Sequence, residues 1–345
     1  MDSSKKLNIG FLGTGGIAAR HAAALAKASG IRIAALCNRH IEKAQAFAAE
    51  RAPEARCFSD FRLMLDSAEL DALYVCIPPG AHDGQTEAAA ERGVHLFLEK
   101  PIALDLSRAL SIRDAVENAG VVCQIGHHMR HTGPAVKLRS MIDDGSAGRP
   151  LFMQGSFFCN ALHPAWWRDP AVGGGQLIEQ AIHIYDLSRF FLGKAETASG
   201  FSARLSHGDV SDYRVDDVSA SVVRFEGGAL ASLSATNVAE PGVWRTAAVV
   251  QCEKLMAVFS SSDTAEFIHH GGMNAEELRR TASAPRREII GSPVDCHDEI
   301  TRNFIAAIRG KEKTRSTIAD GVESLRLVLA VAESSRRGGI PRSLS

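Results

Sequence analysis

From residue 7 to residue 126 the chain alternates short, uninterrupted apolar runs with alanine-rich stretches of helical period. The runs are LNIGFLG (7–13), IRIAALC (31–37), ALYVCIP (72–78), VHLFLEK (94–100) and VVCQIG (121–126), with IAARHAAALAKAS, IEKAQAFAAER and GQTEAAAERG among the stretches between them. Strands that are apolar on both faces belong in a sheet covered on both sides. The strand–helix–strand rhythm makes that sheet parallel and doubly wound, with right-handed crossovers.

The pattern changes after about residue 130. PLFMQGSFFC (150–159), SASVVRFEGGALASLSAT (219–236) and RTAAVVQCEKLMAVFSS (245–261) alternate in part, and Glu226-Gly227-Gly228 reads as a hairpin turn. One long apolar helix, GQLIEQAIHIYDLSRFFLG (175–193), precedes most of these strands, and two further helical segments, 298–310 and 320–338, close the chain. The expectation is an α/β domain with a Rossmann-type doubly wound sheet over 1–126. An α+β domain with an open, mainly antiparallel sheet follows over 127–345. The polar stretch 274–288 is expected as a surface excursion with helical character.

A length of 345 residues suits two domains at about 100–200 residues each. The formal net charge of −1 argues against partners recruited by a basic surface, so neither nucleic acid nor a membrane is expected. The seven cysteines form no CxxC pair and no disulfide framework, which fits a reducing compartment. No signal-peptide-like apolar stretch opens the sequence and no run is long enough to span a bilayer. The expected location is cytoplasmic.

The first strand runs into Gly13-Thr14-Gly15-Gly16-Ile17-Ala18, a G-x-G-x-x-A loop followed by a helix. Gly13 permits the tight turn, Gly15 lets a pyrophosphate approach the backbone, and Ala18 allows close helix–strand packing. The phosphates would meet the free N–H groups of the helix start. At the end of the second strand, where an acid would hold a ribose 2′-hydroxyl, the chain has Asn38 and Arg39. Losing the carboxylate removes repulsion against a 2′-phosphate, and Arg39 can pair with one. NADP is therefore favoured over NAD.

Two other stretches carry chemistry. VHLFLEKP ends in Glu99-Lys100-Pro101, where the proline restrains the lysine at the strand's end. WWRDPAVGGGQLIEQAIHIYDL places three glycines before Glu179 and His183, four residues apart on a helix made apolar by Leu177, Ile178, Ile182 and Ile184. Oxidation of an alcohol by hydride transfer needs a base for the hydroxyl proton and a cation at the developing alkoxide. Histidine and lysine supply both.

These motifs, with VCIPPGAH and its Pro78, Pro79 and His82, resemble the glucose–fructose oxidoreductase/inositol dehydrogenase (Gfo/Idh/MocA-type) family along almost the whole chain. The resemblance implies that Lys100 lies beside the nicotinamide and touches the substrate hydroxyl, with a cis bond to Pro101 allowed. It implies that His183 is the acid/base and that the acid four residues earlier contacts the substrate or orients the base. The family's usual aspartate is here Glu179, one methylene longer and followed by Gln180, so substrates of aspartate-bearing members do not transfer. Glu99, Pro78, Pro79 and His82 join the expected cofactor-side set. The resemblance also implies dimers or tetramers built through the second domain's sheet.

Trp167, Arg168 and Arg130 are expected on the substrate side, an aromatic face beside guanidinium donors suiting a hydroxylated ring or a carboxylate. His127, His128 and His131 invite a metal, but zinc wants three or four ligands and the hydride chemistry needs none, so no metal site is expected. His269-His270 reads as solvated polar residues. No G-x-S-x-G elbow supports a serine nucleophile. The expected function is an NAD(P)-dependent oxidoreductase acting on a sugar, inositol or related polyol. The alternatives are redox-neutral hydrolysis or elimination with a tightly held nicotinamide, and a dinucleotide-binding sensor.

Overall fold

The computed structural model describes residues 6–271 and 285–344. Most of the helical surface excursion expected over 274–288 lies outside the described residues; residues 286–288 begin a strand. The described residues form two compact units, one holding those up to His128 together with His297–Glu323, and the other those from Met129 to Cys296 together with those from Ser324 onward.

The first unit is built on strands β1 (Leu7–Leu12), β2 (Ile31–Cys37), β3 (Arg56–Phe58), β4 (Ala72–Val75), β5 (His95–Leu98) and β6 (Cys123–Ile125). Their spatial order is β3-β2-β1-β4-β5-β6, all parallel. Helices α1 (Gly16–Ala26), α2 (Ile41–Arg51), α3 (Phe61–Ser67), α4 (Gln85–Glu91) and α5 (Leu106–Ala119) make the crossovers. Strand order reverses between β1 and β4, and in such sheets the ligand crevice lies outside the carboxyl ends of the strands at that point. Strand β3 has no counterpart in the apolar runs of the sequence. Its three residues, with Arg56 exposed, are too few to leave a pattern.

Residues 297–323, expected in the second domain, belong instead to the first unit. There α9 (Cys296–Ile308) buries Ile300, Phe304, Ile305 and Ile308 in the same core cluster as Ile9, Phe11, Tyr74 and Phe97. Phe304 meets the stacked Tyr74 and Phe97 rings edge-on, each at 5.6 Å. An amphipathic helix goes wherever its apolar face is buried, whatever its place in the chain.

The second unit holds α6 (Gly133–Asp143), α7 (Ala165–Arg168), α8 (Ile182–Leu192) and a nine-stranded sheet. Its strands are β7 (Pro150–Phe158), β8 (Ala195–Ala203), β9 (Val218–Phe225), β10 (Leu230–Thr236), β11 (Arg245–Cys252), β12 (Leu255–Phe259), β13 (Thr264–His269), β14 (Arg286–Gly291) and β15 (Arg342–Ser343). The order is β14-β13-β12-β11-β7-β10-β9-β8-β15, antiparallel throughout except for the β7/β10 pair. The Glu226-Gly227-Gly228 turn joins β9 to β10, with Gly228 at φ 83°. Helix α8 packs on β7, so closely at Gly155 that an added Cβ would lie 2.8 Å from Ile184. Met153, Phe157, Leu233, Ala235 and Val223 are buried, while Phe201, Val222 and Leu230 leave much of their surface exposed. The closing helix α10 (Ile318–Arg336) reaches the second unit with its later turns and lies against β8 at Gly200.

Candidate active site

In the first unit the predicted residues gather at the carboxyl ends of adjacent strands. Gly13 turns with φ 91°, and a Cβ there would lie 2.2 Å from the Cys76 carbonyl oxygen, so the β1 and β4 ends touch only because this residue is glycine. Gly15 and Gly16 are different, since a Cβ on either would meet nothing within 4 Å. Gly15 caps α1 without a side-chain hydrogen bond, and the first turn carries no acid. The loop therefore presents a helix N-terminus beside space that, among the described residues, no side chain enters within 4 Å, the fit a dinucleotide pyrophosphate requires. Ala18, fully buried, allows α1 its close packing.

Asn38, at the end of β2, donates from Nδ2 to Thr14 Oγ1 at 2.8 Å, and its Oδ1 accepts from the His40 N–H at 3.0 Å. Its amide thus ties the glycine loop to the start of α2, while Arg39 stays exposed. Pro78 and Pro79 lead into a short turn over Pro79–Ala81 beyond β4. His82 follows, 8% exposed, and burial with the nearby Arg108 charge pushes its imidazole down to about 4.

Glu99 and Lys100 follow β5 directly, and the Lys100–Pro101 peptide is cis. Glu99 is buried, its Oε1 2.7 Å from His21 Nε2 on α1, and its Oε2 accepts from the Lys100 N–H at 3.2 Å. Burial opposes its ionisation, but the His21 hydrogen bond and the charges of His21 and Lys100 outweigh it and hold the carboxyl below its ordinary range. Nearby, His128 stacks on His297 at 5.0 Å, and burial followed by the His297 charge pulls His128 down to about 3.

In the second unit the helix expected over 175–193 starts as a five-residue π turn, Gln176–Gln180, and becomes α8 only at Ile182. Glu179 and His183 therefore do not share the face of one regular α-helix. The triple glycine makes the turn possible. A Cβ on Gly173 would lie 2.7 Å from Trp167 Cα, and one on Gly175, at φ 76°, would lie 2.5 Å from the Val215 side chain. Gln176, buried, donates to the Asp217 carbonyl and accepts from Ser219 Oγ, pinning the turn to the start of β9. Such π turns recur at functional sites.

Glu179 Oε2 accepts the indole N–H of Trp167 at 2.7 Å, and Trp167 is buried. His183, 6% exposed, stacks on Phe157 at 6.0 Å. A chain of ring contacts joins the two. Trp167 stacks on His163 at 4.1 Å, His163 meets Trp244 edge-on at 5.6 Å, and Trp244 meets Phe157 edge-on at 6.0 Å. His163 has φ 59°, the one positive value among the described non-glycine residues. Neither His163 nor Trp244 stood out in the sequence, because ring stacking between residues about eighty positions apart leaves no local trace.

Arg130, expected on the substrate side, is engaged within the unit. Its guanidinium grips Asp186 of α8 with two bonds of 2.8 Å, both side chains being buried, and Asp186 also accepts from Ser324 Oγ. A guanidinium so engaged braces α8. Arg168 pairs with Asp212 at 2.6 Å, tying α7 to the loop before β9.

Residues 7–127 match the family model described as "Oxidoreductase family, NAD-binding Rossmann fold", and residues 135–258 match the GFO/IDH/MocA C-terminal domain. The chain belongs to the Gfo/Idh/MocA oxidoreductase family. Among its relatives is 1,5-anhydro-D-fructose reductase of Ensifer adhaerens, 26% identical over 95% of this chain and 96% of the relative. Another is scyllo-inositol 2-dehydrogenase (NAD(+)) of Bacillus subtilis, 28% identical over 52% of each. The fold superposes on levoglucosan dehydrogenase in complex with NADH and levoglucosan with a TM-score of 0.87, at 20% identity and over 99% of this chain and 100% of the other.

Proposed function

We propose that this family member transfers hydride between NAD(P) and a ring hydroxyl of a sugar, inositol or related polyol. The observation that carries the reading is that Lys100 follows β5 on the same sheet edge as the open Gly15–Gly16 cradle at the end of β1. A bound nicotinamide supplies the hydride acceptor. Lys100 holds positive charge against the alkoxide that develops on the substrate, and His183 takes or returns the hydroxyl proton. Glu179, oriented by the Trp167 indole, contacts the substrate or orients the base. Trp167 forms the wall behind Glu179, and Arg168 acts at the margin of this group. The relatives and the structural neighbour act on, or hold, ring compounds rich in hydroxyls, which supports the substrate class.

NADP is favoured on the strength of the exposed Arg39 and the absence of an acid at Asn38. The exposed Phe201, Val222 and Leu230 of the sheet suit pairing into dimers or tetramers. Seven free cysteines support a cytoplasmic setting.

The test is a panel of cyclic sugars and inositols, with their keto forms, followed at the reduced-nicotinamide absorbance with each cofactor. Turnover of at least one ring polyol is expected. His183→Ala should lower kcat by about 10²–10⁴-fold while cofactor affinity stays within about twofold. Failure of every ring compound with both cofactors overturns the reading, and a variant that loses cofactor affinity but keeps kcat overturns the role of His183.

A further inference from the structure

Glu99 is the site residue whose purpose the hydride chemistry leaves unexplained. It alternates with Lys100 at the end of β5, so its side chain runs back into the unit. There it meets His21, in the second turn of the helix that begins at the glycine loop. His21 is 1% exposed and its ring is enclosed by Phe97 at 4.6 Å, Tyr74 at 5.2 Å and His297 at 5.8 Å. An imidazole packed among rings on three sides cannot swing, and neither can the carboxylate that it holds.

The carboxyl group also leaves no room for a side chain beside it. A Cβ on Gly126, beyond β6, would sit 2.8–2.9 Å from all three atoms of the Glu99 carboxyl group. The adjoining strand end is thus kept bare to admit it. A buried carboxylate is costly unless paired and hydrogen-bonded, and nothing in the packing of a doubly wound sheet asks for one here. What it gains is the Lys100 peptide, whose N–H donates to Oε2.

We propose that His21 and Glu99 form a positioning pair, in which the imidazole anchors the carboxylate and the carboxylate fixes the peptide of Lys100, so that the lysine is aimed by the same helix that receives the cofactor phosphates. The inference rests on the hydride-transfer role given to Lys100 above. Neither residue of the pair touches substrate. The arrangement matches the outer partners of metal-bound histidines, where loss of the supporting group costs about 10–100-fold in activity. It couples the two halves of the cofactor site mechanically: α1 and β5 are held by one short, buried hydrogen bond in place of apolar packing alone.

The experiment uses the full chain and three variants, His21→Leu, His21→Gln and Glu99→Gln. Cofactor affinity is read by fluorescence titration with NADPH and NADH, and kcat and KM are read with whichever ring polyol the wild type turns over. In His21→Leu and Glu99→Gln, kcat should fall about 10–100-fold with cofactor affinity within about threefold. His21→Gln, which keeps a donor for the carboxylate, should recover most of that loss. A second readout needs no substrate: hydrogen exchange of the Lys100 amide should quicken at least about tenfold in His21→Leu and less in His21→Gln. Should His21→Leu fail to fold, the ordering of His21→Gln and Glu99→Gln against wild type decides. Unchanged exchange at Lys100, wild-type kcat in Glu99→Gln, or parallel losses in kcat and cofactor affinity overturn the pair. If no ring polyol is turned over, the substrate reading fails, and the exchange measurement still rules on the anchoring.

Discussion

In the first unit Gly15 and Gly16 open onto space that no neighbouring atom fills, whereas in the second Gly173 and Gly175 are hemmed in by Trp167 and Val215. The first pair leaves room for something that is not protein. The second pair removes side chains so that protein can close on itself and force the π turn bearing Glu179. Phosphate is gripped by backbone N–H groups, which any sequence owns, so the cofactor side needs only the absence of side chains. Acid/base groups are side chains, and each must be held by others drawn from far along the chain.

That contrast predicts where substitutions hurt. The largest effect belongs to the brace beneath α8. Arg130→Ala leaves Asp186 as a buried carboxylate without its bidentate partner and should destabilise the protein by about 3–5 kcal/mol in chemical denaturation; a loss under about 1 kcal/mol would show that the pair does not brace α8. Next comes the hemmed glycine. Gly175→Ala combines a left-handed backbone with a close contact to Val215 and should cost about 2–3 kcal/mol.

Smaller still is the pH dependence carried by Glu99. Its folded carboxyl is held below the value of 4.5 that applies to an unperturbed glutamate. The stabilisation is therefore complete above that value and is lost as pH falls towards the folded value. The groups facing it are His21, Lys100, His128 and Cys76. Melting curves of Glu99→Gln and wild type should converge as pH drops below about 4.5, each tenfold gain in the acidity of the folded carboxyl being worth about 1.4 kcal/mol. A gap that stays constant down to about pH 3 would show that folding does not lower the Glu99 carboxyl below its ordinary value.

The smallest change in stability is expected at the open glycine. Gly15→Ala should cost at most about 1 kcal/mol as a poorer helix cap, yet weaken NAD(P)H binding about tenfold because its Cβ enters the phosphate space. Equal stability losses in Gly15→Ala and Gly175→Ala would erase the distinction between the two regions.

The doubly wound half was readable because each of its signals is local. An all-apolar run, a glycine loop and a helix start lie within about thirty residues of one another, and short-range chemistry sets them. Glu99-Lys100-Pro101 was readable for the same reason. The tie from Glu99 to His21 was not, since it spans 78 positions. Strand β3 escaped notice because it is three residues long. The π turn looked like ordinary helix because its side-chain pattern matches one, and only the Trp167 and Val215 contacts impose the extra residue.

The sequence alone therefore carried the class of fold and the family, and proposed the glycine loop, the lysine and the histidine, all properties of short segments whose backbone preferences and chemistry travel with them. The tertiary structure decided the rest. It returned residues 297–323 to the first unit, engaged Arg130 with Asp186, and gathered His163 and Trp244 between Trp167 and Phe157. The reason is common to all three. Burial and pairing select a partner by shape and charge in space, and many distant positions offer similar chemistry until packing chooses among them.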